Sequence, residues 1–364
     1  MRKYQHIDSL RGVAILMVIA THVGPALQET ATFLTVYGRM GVQLFFVISA
    51  LTLCLSMESR SAERYPVGNF FIRRYFRIAP MYILGVFIYS PLVFDHFPNA
   101  ESTLSFYLLH VTLLHGFSVD AFRAVVPGGW SIGVEFIFYL IFPALFFLLR
   151  KYNKRMHLWG IFAFFIVVSL LQNLYFQLEL PSYSSLWKYG YWSPLNQLPV
   201  FIVGIILYRA IKERKNQLPI ISHFILFVCT TLCTLIIWQL KPLFYVSFVP
   251  LMSAWSFYHL FFIFESVVLL NKKWLQRIGQ LSFSMYLLHF FVITYVVKSD
   301  YLDVFRGYGI ISLMLFLAIV VFLTCLVSLL TEKFIELKFV KIAKVFIAWR
   351  ETKQCKGKSS LHRS

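Results

Sequence analysis

Apolar residues in this chain come in long uninterrupted blocks, and charges, prolines and glycines fall between the blocks. The blocks are Leu10–Leu27, Gly41–Met57, Ile78–Phe94, Trp130–Leu149, Leu158–Leu178, Leu198–Ile211, Pro219–Leu240, Phe244–Leu270, Ser282–Val297 and Ile310–Leu330. Most reach the ~17–25 residues that a helix needs to cross a hydrocarbon core, although Leu198–Ile211 and Ser282–Val297 are short. The pattern predicts an all-α integral membrane protein, a bundle of about ten transmembrane helices. A further apolar stretch, Leu104–Phe117, carries His110 and His115 and is read as an outer-face or re-entrant helix. The first block is too long for the apolar core of a cleaved signal peptide and is read as a span.

Composition supports this class. Hydrophobic residues make up 59% of the 364 and charged residues 14%, against about 25% charged in an ordinary soluble domain. The charges then orient the bundle. With the amino terminus in the cytoplasm, 28 of the 34 Lys and Arg fall in inner segments. Arg39, Arg123, Lys188, Lys241, Lys298 and Arg306 remain outside, an inner excess that predicts both termini in the cytoplasm. The net charge of +18 therefore reflects loops facing anionic lipid and calls for no nucleic-acid partner. Residues 1–332 read as one membrane domain and 333–364 as a basic cytoplasmic tail, whose stretch Phe334–Trp349 is amphipathic and suited to the membrane surface. The cysteines, Cys229 and Cys233 included, lack the partners of a disulfide framework or a metal site and are read as packing residues.

Ionisable groups inside a span cost several kcal/mol and mark candidate functional positions. Arg11 and His22 share a helix face, with His22 about 16 Å further along the axis, a little past mid-membrane. Glu135 lies about 8 Å inward of Trp130, which marks the outer interface, and Tyr139 follows one turn deeper on the same face. Depth alone puts His22 and Glu135 near one level, and a carboxylate beside an imidazole fixes its tautomer and raises its basicity. Arg73, Arg74 and Arg77 enter the third span from the cytoplasm, and Arg74 and Arg77 sit three apart, suited to a phosphate. Each feature also has a structural reading: a bundle histidine, a capping glutamate, or ordinary inner charge.

Together these segments resemble the acyltransferase-3 family of membrane acyltransferases, which includes O-antigen and exopolysaccharide O-acetylases. The start Ile7-Asp8-Ser9-Leu10-Arg11-Gly12 and the Arg11-x10-His22 spacing are similar to the family's first motif. Gly41 to Ser49, Arg74-x-x-Arg77 with Pro80, Trp130-Ser131 with Glu135, Tyr139 and Pro143, and Ser282 to His289 resemble its later ones. Three positions depart from the usual pattern: Gln43 for a common aspartate, Ala50 for glycine and Gly133 for serine.

The resemblance implies transfer of an acetyl group from acetyl-CoA to a sugar hydroxyl of a cell-surface polysaccharide such as an O-antigen, a lipopolysaccharide or an exopolysaccharide. It implies a multi-pass protein of a bacterial inner membrane, acetyl-CoA as co-substrate, no metal, and a saccharide acceptor that is free or lipid-linked. On this reading Arg11, Arg73, Arg74 and Arg77 hold the donor's phosphates. His22 and Glu135 are catalytic, with His22 either a general base or the site of an acetyl-histidine intermediate. Trp130, Ser131, Tyr139 and Tyr286 are the candidate substrate-binding residues, and His289 is assigned to structure. The alternative from another class is a transporter or flippase for a lipid-linked saccharide, although the chain lacks the paired broken-helix halves usual in such folds.

Overall fold

The computed structural model describes residues 5–26, 37–96, 104–118, 121–122, 125–152, 154–179, 185–213, 218–297 and 309–361. Leu27 and the basic residues Arg2, Lys3, Arg123, Arg214, Lys215, Lys298, Arg306 and Arg363 lie outside them. Among the described residues every regular element is helical. In chain order they are α1 (Gln5–Ala26), α2 (Gly41–Ser59), α3 (Pro66–His96), α4 (Leu104–Val111), α5 (Trp130–Lys151), α6 (Arg155–Glu179) and α7 (Ser185–Trp192). There follow α8 (Pro194–Glu213), α9 (Ile220–Leu240), α10 (Tyr245–Ser266), α11 (Lys273–Val297), α12 (Ile310–Thr331) and α13 (Leu337–Leu361).

Nine stretches of the described residues are long and apolar enough to cross a membrane, and each overlaps one of the expected spans. The remaining span, Ile78–Phe94, is the C-terminal part of the 31-residue α3, whose other end carries Arg73, Arg74 and Arg77. The two blocks that looked short extend into full helices. Leu198–Ile211 sits within the 20 residues of α8, and Ser282–Val297 within the 25 of α11, or about 38 Å of helix. Hydropathy marks only the part of a helix that meets apolar surroundings, and polar residues such as Arg277 and Gln280 continue α11 beyond it.

Small residues set the closest crossings. A methyl group added at Gly279 of α11 would stand 1.7 Å from the Asp8 carbonyl oxygen, and one at Gly12 of α1 2.4 Å from that of Leu275. Such approach lets backbones pack where lipid supplies no hydrophobic drive. α1, α2, α5 and α8 form the interior, with Leu10, Ile15, Phe46, Phe138 and Phe201 fully enclosed. α6 and α9 are peripheral and leave Phe164, Leu171, Ile225 and Ile236 exposed.

Segment 104–117 enters the end of the bundle instead of lying across it. His110 and His115 are fully buried, and the Tyr82 hydroxyl lies 3.0 Å from His110 Nδ1 and 3.2 Å from His115 Nε2. At the opposite end, a π-helical turn, Glu332–Glu336, joins α12 to α13 across the expected domain boundary. α13 runs antiparallel to the start of α3: Phe339 meets Phe76, Arg350 lies 4.6 Å from the Tyr65 ring, and Asn69 donates to Glu351 at 2.8 Å.

The α1–α11 crossing yields a stability prediction. Gly279→Ala forces two backbones apart and is expected to cost about 1–3 kcal/mol, the usual range for overpacking. Gly160→Ala on α6, where an added methyl meets nothing within 4 Å, should be tolerated. Thermal unfolding of the two detergent-purified variants, followed by loss of monodisperse protein, checks the difference.

Candidate active site

Five helices converge on a cavity of about 100 Å³. α1 supplies Arg11, α2 supplies Ser49 and Thr52, α3 supplies Arg74 and Arg77, α5 supplies Ser131, Glu135 and Tyr139, and α11 supplies Ser282 and Tyr286. Ser131, Glu135 and Tyr139 are spaced by four, so they form one stripe along α5 about 12 Å long. The cavity follows that stripe.

Glu135 anchors its middle. Its Oε1 accepts hydrogen bonds from Ser49 Oγ and, at 2.6 Å, from the Tyr139 hydroxyl. Arg11 and Arg74 both lie in the carboxylate's field. The Arg74 guanidinium lies 5.5 Å from the Tyr139 ring, and Arg11 donates to Thr52 at 3.4 Å and pairs with Asp8 at 3.7 Å. Three arginines, Arg11, Arg74 and Arg77, and one carboxylate, Glu135, line the cavity, so the lining at this end is cationic and suited to an anionic group. Behind the lining, Asp8 lies beside Arg11 and Glu336 in the field of Arg77.

The other end is neutral and rich in hydroxyls. Ser131 Oγ and the Tyr286 hydroxyl are 2.7 Å apart, and the Gly128 carbonyl oxygen lies 3.1 Å from the first and 2.9 Å from the second. Gly128 takes a φ of +76° there, and a Cβ would crowd the Tyr286 hydroxyl at 3.1 Å. Two hydroxyls own two protons and make three contacts, so both protons are already committed within the trio. Either hydroxyl can donate to a substrate oxygen only by releasing one of these contacts.

His22 stands apart from Glu135. Its ring packs 5.4 Å from His289 and 4.3 Å from Phe290, and it feels the charge of Arg39. Among the described residues no hydrogen bond joins it to Glu135, whose bonds go to Ser49 and Tyr139. The link between them runs through α11. The His289 ring is 5.9 Å from that of Tyr286, and Tyr286 lies in the field of Glu135. Rise per residue gives depth along a helix but no position across the bundle, which explains why the two were expected to meet.

Arg73 and Trp130 do not line the cavity. Arg73 makes paired hydrogen bonds to Glu63 at 3.0 and 2.7 Å. The Glu63 carboxyl sits below its ordinary range: partial burial raises it, and the hydrogen bonds from Arg73 and Asn69 outweigh that. Trp130 stacks on Trp192 with centroids 5.7 Å apart.

His289, assigned to structure from the sequence, lies between His22 and Tyr286. Its Nδ1 lies 2.8 Å from the Tyr286 carbonyl oxygen and therefore holds the proton, leaving the Nε2 lone pair buried and without a hydrogen-bond partner. Its place three residues after Tyr286, on the same face of α11, was the available signal. Ser49 closes the Gly41–Ser49 motif but was not singled out within it, and Thr52 had no signal, because a hydroxyl in an apolar helix looks like packing.

The three departures from the family pattern have local explanations. Gln43 donates to Gln197 at 3.3 Å and ties α2 to α8. Ala50 faces Gly204, where a Cβ would come within 2.7 Å of its own. At Gly133 a Cβ would stand 2.8 Å from His115 Nε2, so the histidine occupies the space a serine needs.

Comparison with known proteins addresses the chain as a whole. The sequence model of the acyltransferase domain matches residues 4–333. The chain is 26% identical to the acyltransferase MdmB of Streptomyces mycarofaciens over 79% of each chain. It is 30% identical to the peptidoglycan O-acetyltransferase OatA of Listeria monocytogenes over 42% of this chain and 26% of that one. A Staphylococcus aureus protein that carries the name of an O-acetyltransferase is 26% identical over 97% of this chain and 60% of its own length. No solved structure matches the chain.

The hydroxyl trio predicts strong coupling. Ser131→Ala and Tyr286→Phe should each cost about 0.5–1.5 kcal/mol of stability, and the double variant should lose clearly less than their sum. A double-mutant cycle read from unfolding of the purified protein is the check. Additive losses would mean the two side chains act independently.

Proposed function

This chain belongs to the acyltransferase-3 family of membrane O-acyltransferases, and from that premise we propose that it moves an acetyl group from acetyl-CoA to a hydroxyl of a cell-surface polysaccharide. The observation that carries the reading is the polarity of the cavity along its length. Arg11, Arg74 and Arg77 occupy one end, and the hydroxyls of Ser131 and Tyr286 the other, with His289 and His22 beyond. A nucleotide thioester has the same layout, with anionic phosphates at one end and a reactive acyl group at the other. A polysaccharide acceptor is supported by the Listeria relative, a peptidoglycan O-acetyltransferase.

In this mechanism the arginine end opens to the cytoplasm, in keeping with the inner excess of Lys and Arg. Arg11, Arg74 and Arg77 bind the donor's phosphates through charge-assisted hydrogen bonds. His22 takes the proton of the acceptor hydroxyl as its oxygen attacks the thioester carbon. Glu135 stabilises the resulting imidazolium by charge across the site, with no direct bond. Ser131 or Tyr286 releases the Gly128 carbonyl to donate to the oxyanion. The intermediate collapses, the carbon–sulfur bond breaks, and the imidazolium returns its proton to the leaving thiolate. The products are an O-acetyl ester and free CoA.

Purified protein given labelled acetyl-CoA and polysaccharide should place label on the glycan, and an unchanged donor would contradict the reading. His22→Gln keeps a polar group of similar reach and should lower kcat about 10²–10⁴-fold, the value of general-base assistance. Arg74→Ala and Arg77→Ala should chiefly raise the donor KM, because their contacts already exist in the ground state. Near-normal transfer by the His22→Gln enzyme would remove the histidine from the mechanism and leave the family assignment intact.

A further inference from the structure

A second cavity, about 230 Å³, lies where α6, α8, α9 and α10 meet, away from the helices that supply Arg11, Glu135 and Tyr286. Its polar side holds Arg155, Arg209, Glu213 and His223, and its apolar wall includes Trp159 and Phe262. Arg155 Nε donates to Glu213 at 2.8 Å, and Arg209 approaches the same carboxylate at 3.5 Å. Two guanidiniums face one carboxylate, so the polar side is cationic. His223 is 5% exposed, stacks on Phe262 at 4.4 Å, and shares a 3.0 Å contact between Nδ1 atoms with His259. One ring must donate and the other accept in that contact, which locks α9 to α10 and fixes the cavity wall.

Position and shape define the ligand. α6 and α9 are the peripheral helices of the bundle, and the cavity lies at the first turns of both, against the last turns of α8. Trp159 is 46% exposed and Leu218 48%, so the apolar wall continues onto the lipid-facing surface. The volume falls below the ~300–1,000 Å³ of a site for a drug-sized molecule enclosed on all sides. It suits a compact anionic head whose tail leaves along the bundle. Basic pockets between transmembrane helices at a membrane surface recognise anionic lipid headgroups in this way.

We propose that this cavity is a binding site for the phosphate group of an anionic phospholipid, held by Arg155 and Arg209, with one acyl chain running along Trp159 and the exposed faces of α6 and α9. Glu213 occupies both guanidiniums in the absence of lipid and yields them to the phosphate, so it competes with the ligand. The site is independent of the acyl-transfer reading.

The test is lipid retention. Full-length protein is purified from vesicles of phosphatidylcholine and phosphatidylglycerol, and the lipids that survive detergent exchange are measured by mass spectrometry. Both lipids carry a phosphate, but the choline cation of phosphatidylcholine is repelled by the two guanidiniums. The wild type should therefore retain phosphatidylglycerol over phosphatidylcholine by about tenfold, the scale of one like-charge contact near a protein surface. Arg155→Ala with Arg209→Ala should bring the ratio to parity, and Glu213→Gln should raise it. A rise cannot come from misfolding, so the Glu213 variant keeps the test decisive if the arginine variant unfolds. Excess inorganic phosphate should leave the lipid in place, and its displacement by phosphate would make the free anion the ligand. Equal retention of the two lipids by the wild type, or a fall in Glu213→Gln, would overturn the proposal.

Discussion

A carboxylate buried in a helical bundle has to be neutralised by groups that the bundle itself supplies, and Glu135 is the place where this protein meets that requirement. Removing an ion from water costs several kcal/mol even after relaxation, and lipid offers no compensation. Ser49 and Tyr139 donate hydrogen bonds to Glu135, and Arg11 and Arg74 add charge. These groups come from α1, α2, α3 and α5, so one charge fixes the mutual placement of four helices. The close α1–α11 crossing at Gly12 and Gly279 then brings Tyr286 and His289 to the same region. Cavity, cationic end and hydroxyl end all follow from those constraints.

Much of the fold was legible in the sequence because bilayer thickness sets helix length. The interruption of apolar blocks by charge located nearly every span, and α8 and α11 looked short only because their polar ends carry no hydropathy signal. Of the site, the cavity-lining residues Arg11, Arg74, Arg77, Ser131, Glu135, Tyr139 and Tyr286 were legible from their cost inside a membrane or their spacing along one face. The separation of His22 from Glu135 was not, because it depends on position across the bundle. Arg73 illustrates a related limit. It adjoins Arg74 in sequence, but successive residues on a helix point about 100° apart, and Glu63 captures it. Gly133 became intelligible only once His115 was seen to fill the space beside it.

A cavity of about 100 Å³ is well below the ~300–1,000 Å³ of a site that encloses a drug-sized molecule, and a pantetheine arm is of that size. In the proposed mechanism donor binding therefore has to part the helices along the α5 stripe. The Ser131–Tyr286–Gly128 trio is the natural place for that change to register. Its protons are fully committed when the cavity is closed, and an oxyanion donor appears only when a contact opens. Such an arrangement would tie formation of the catalytic geometry to the presence of the donor.

On the proposed mechanism the donor's phosphates stay at the arginine end while its acetyl group reaches an acceptor at the other. Sealed inverted membrane vesicles test it directly, because CoA esters do not cross a bilayer. Labelled acetyl-CoA is supplied to the face that carries Arg74 and Arg77, with the polysaccharide acceptor enclosed in the lumen. Labelled ester should form on the enclosed glycan, and about 10²–10⁴-fold more slowly in vesicles carrying the His22→Gln enzyme. Acetylation that occurs only when donor and acceptor share one face would contradict it.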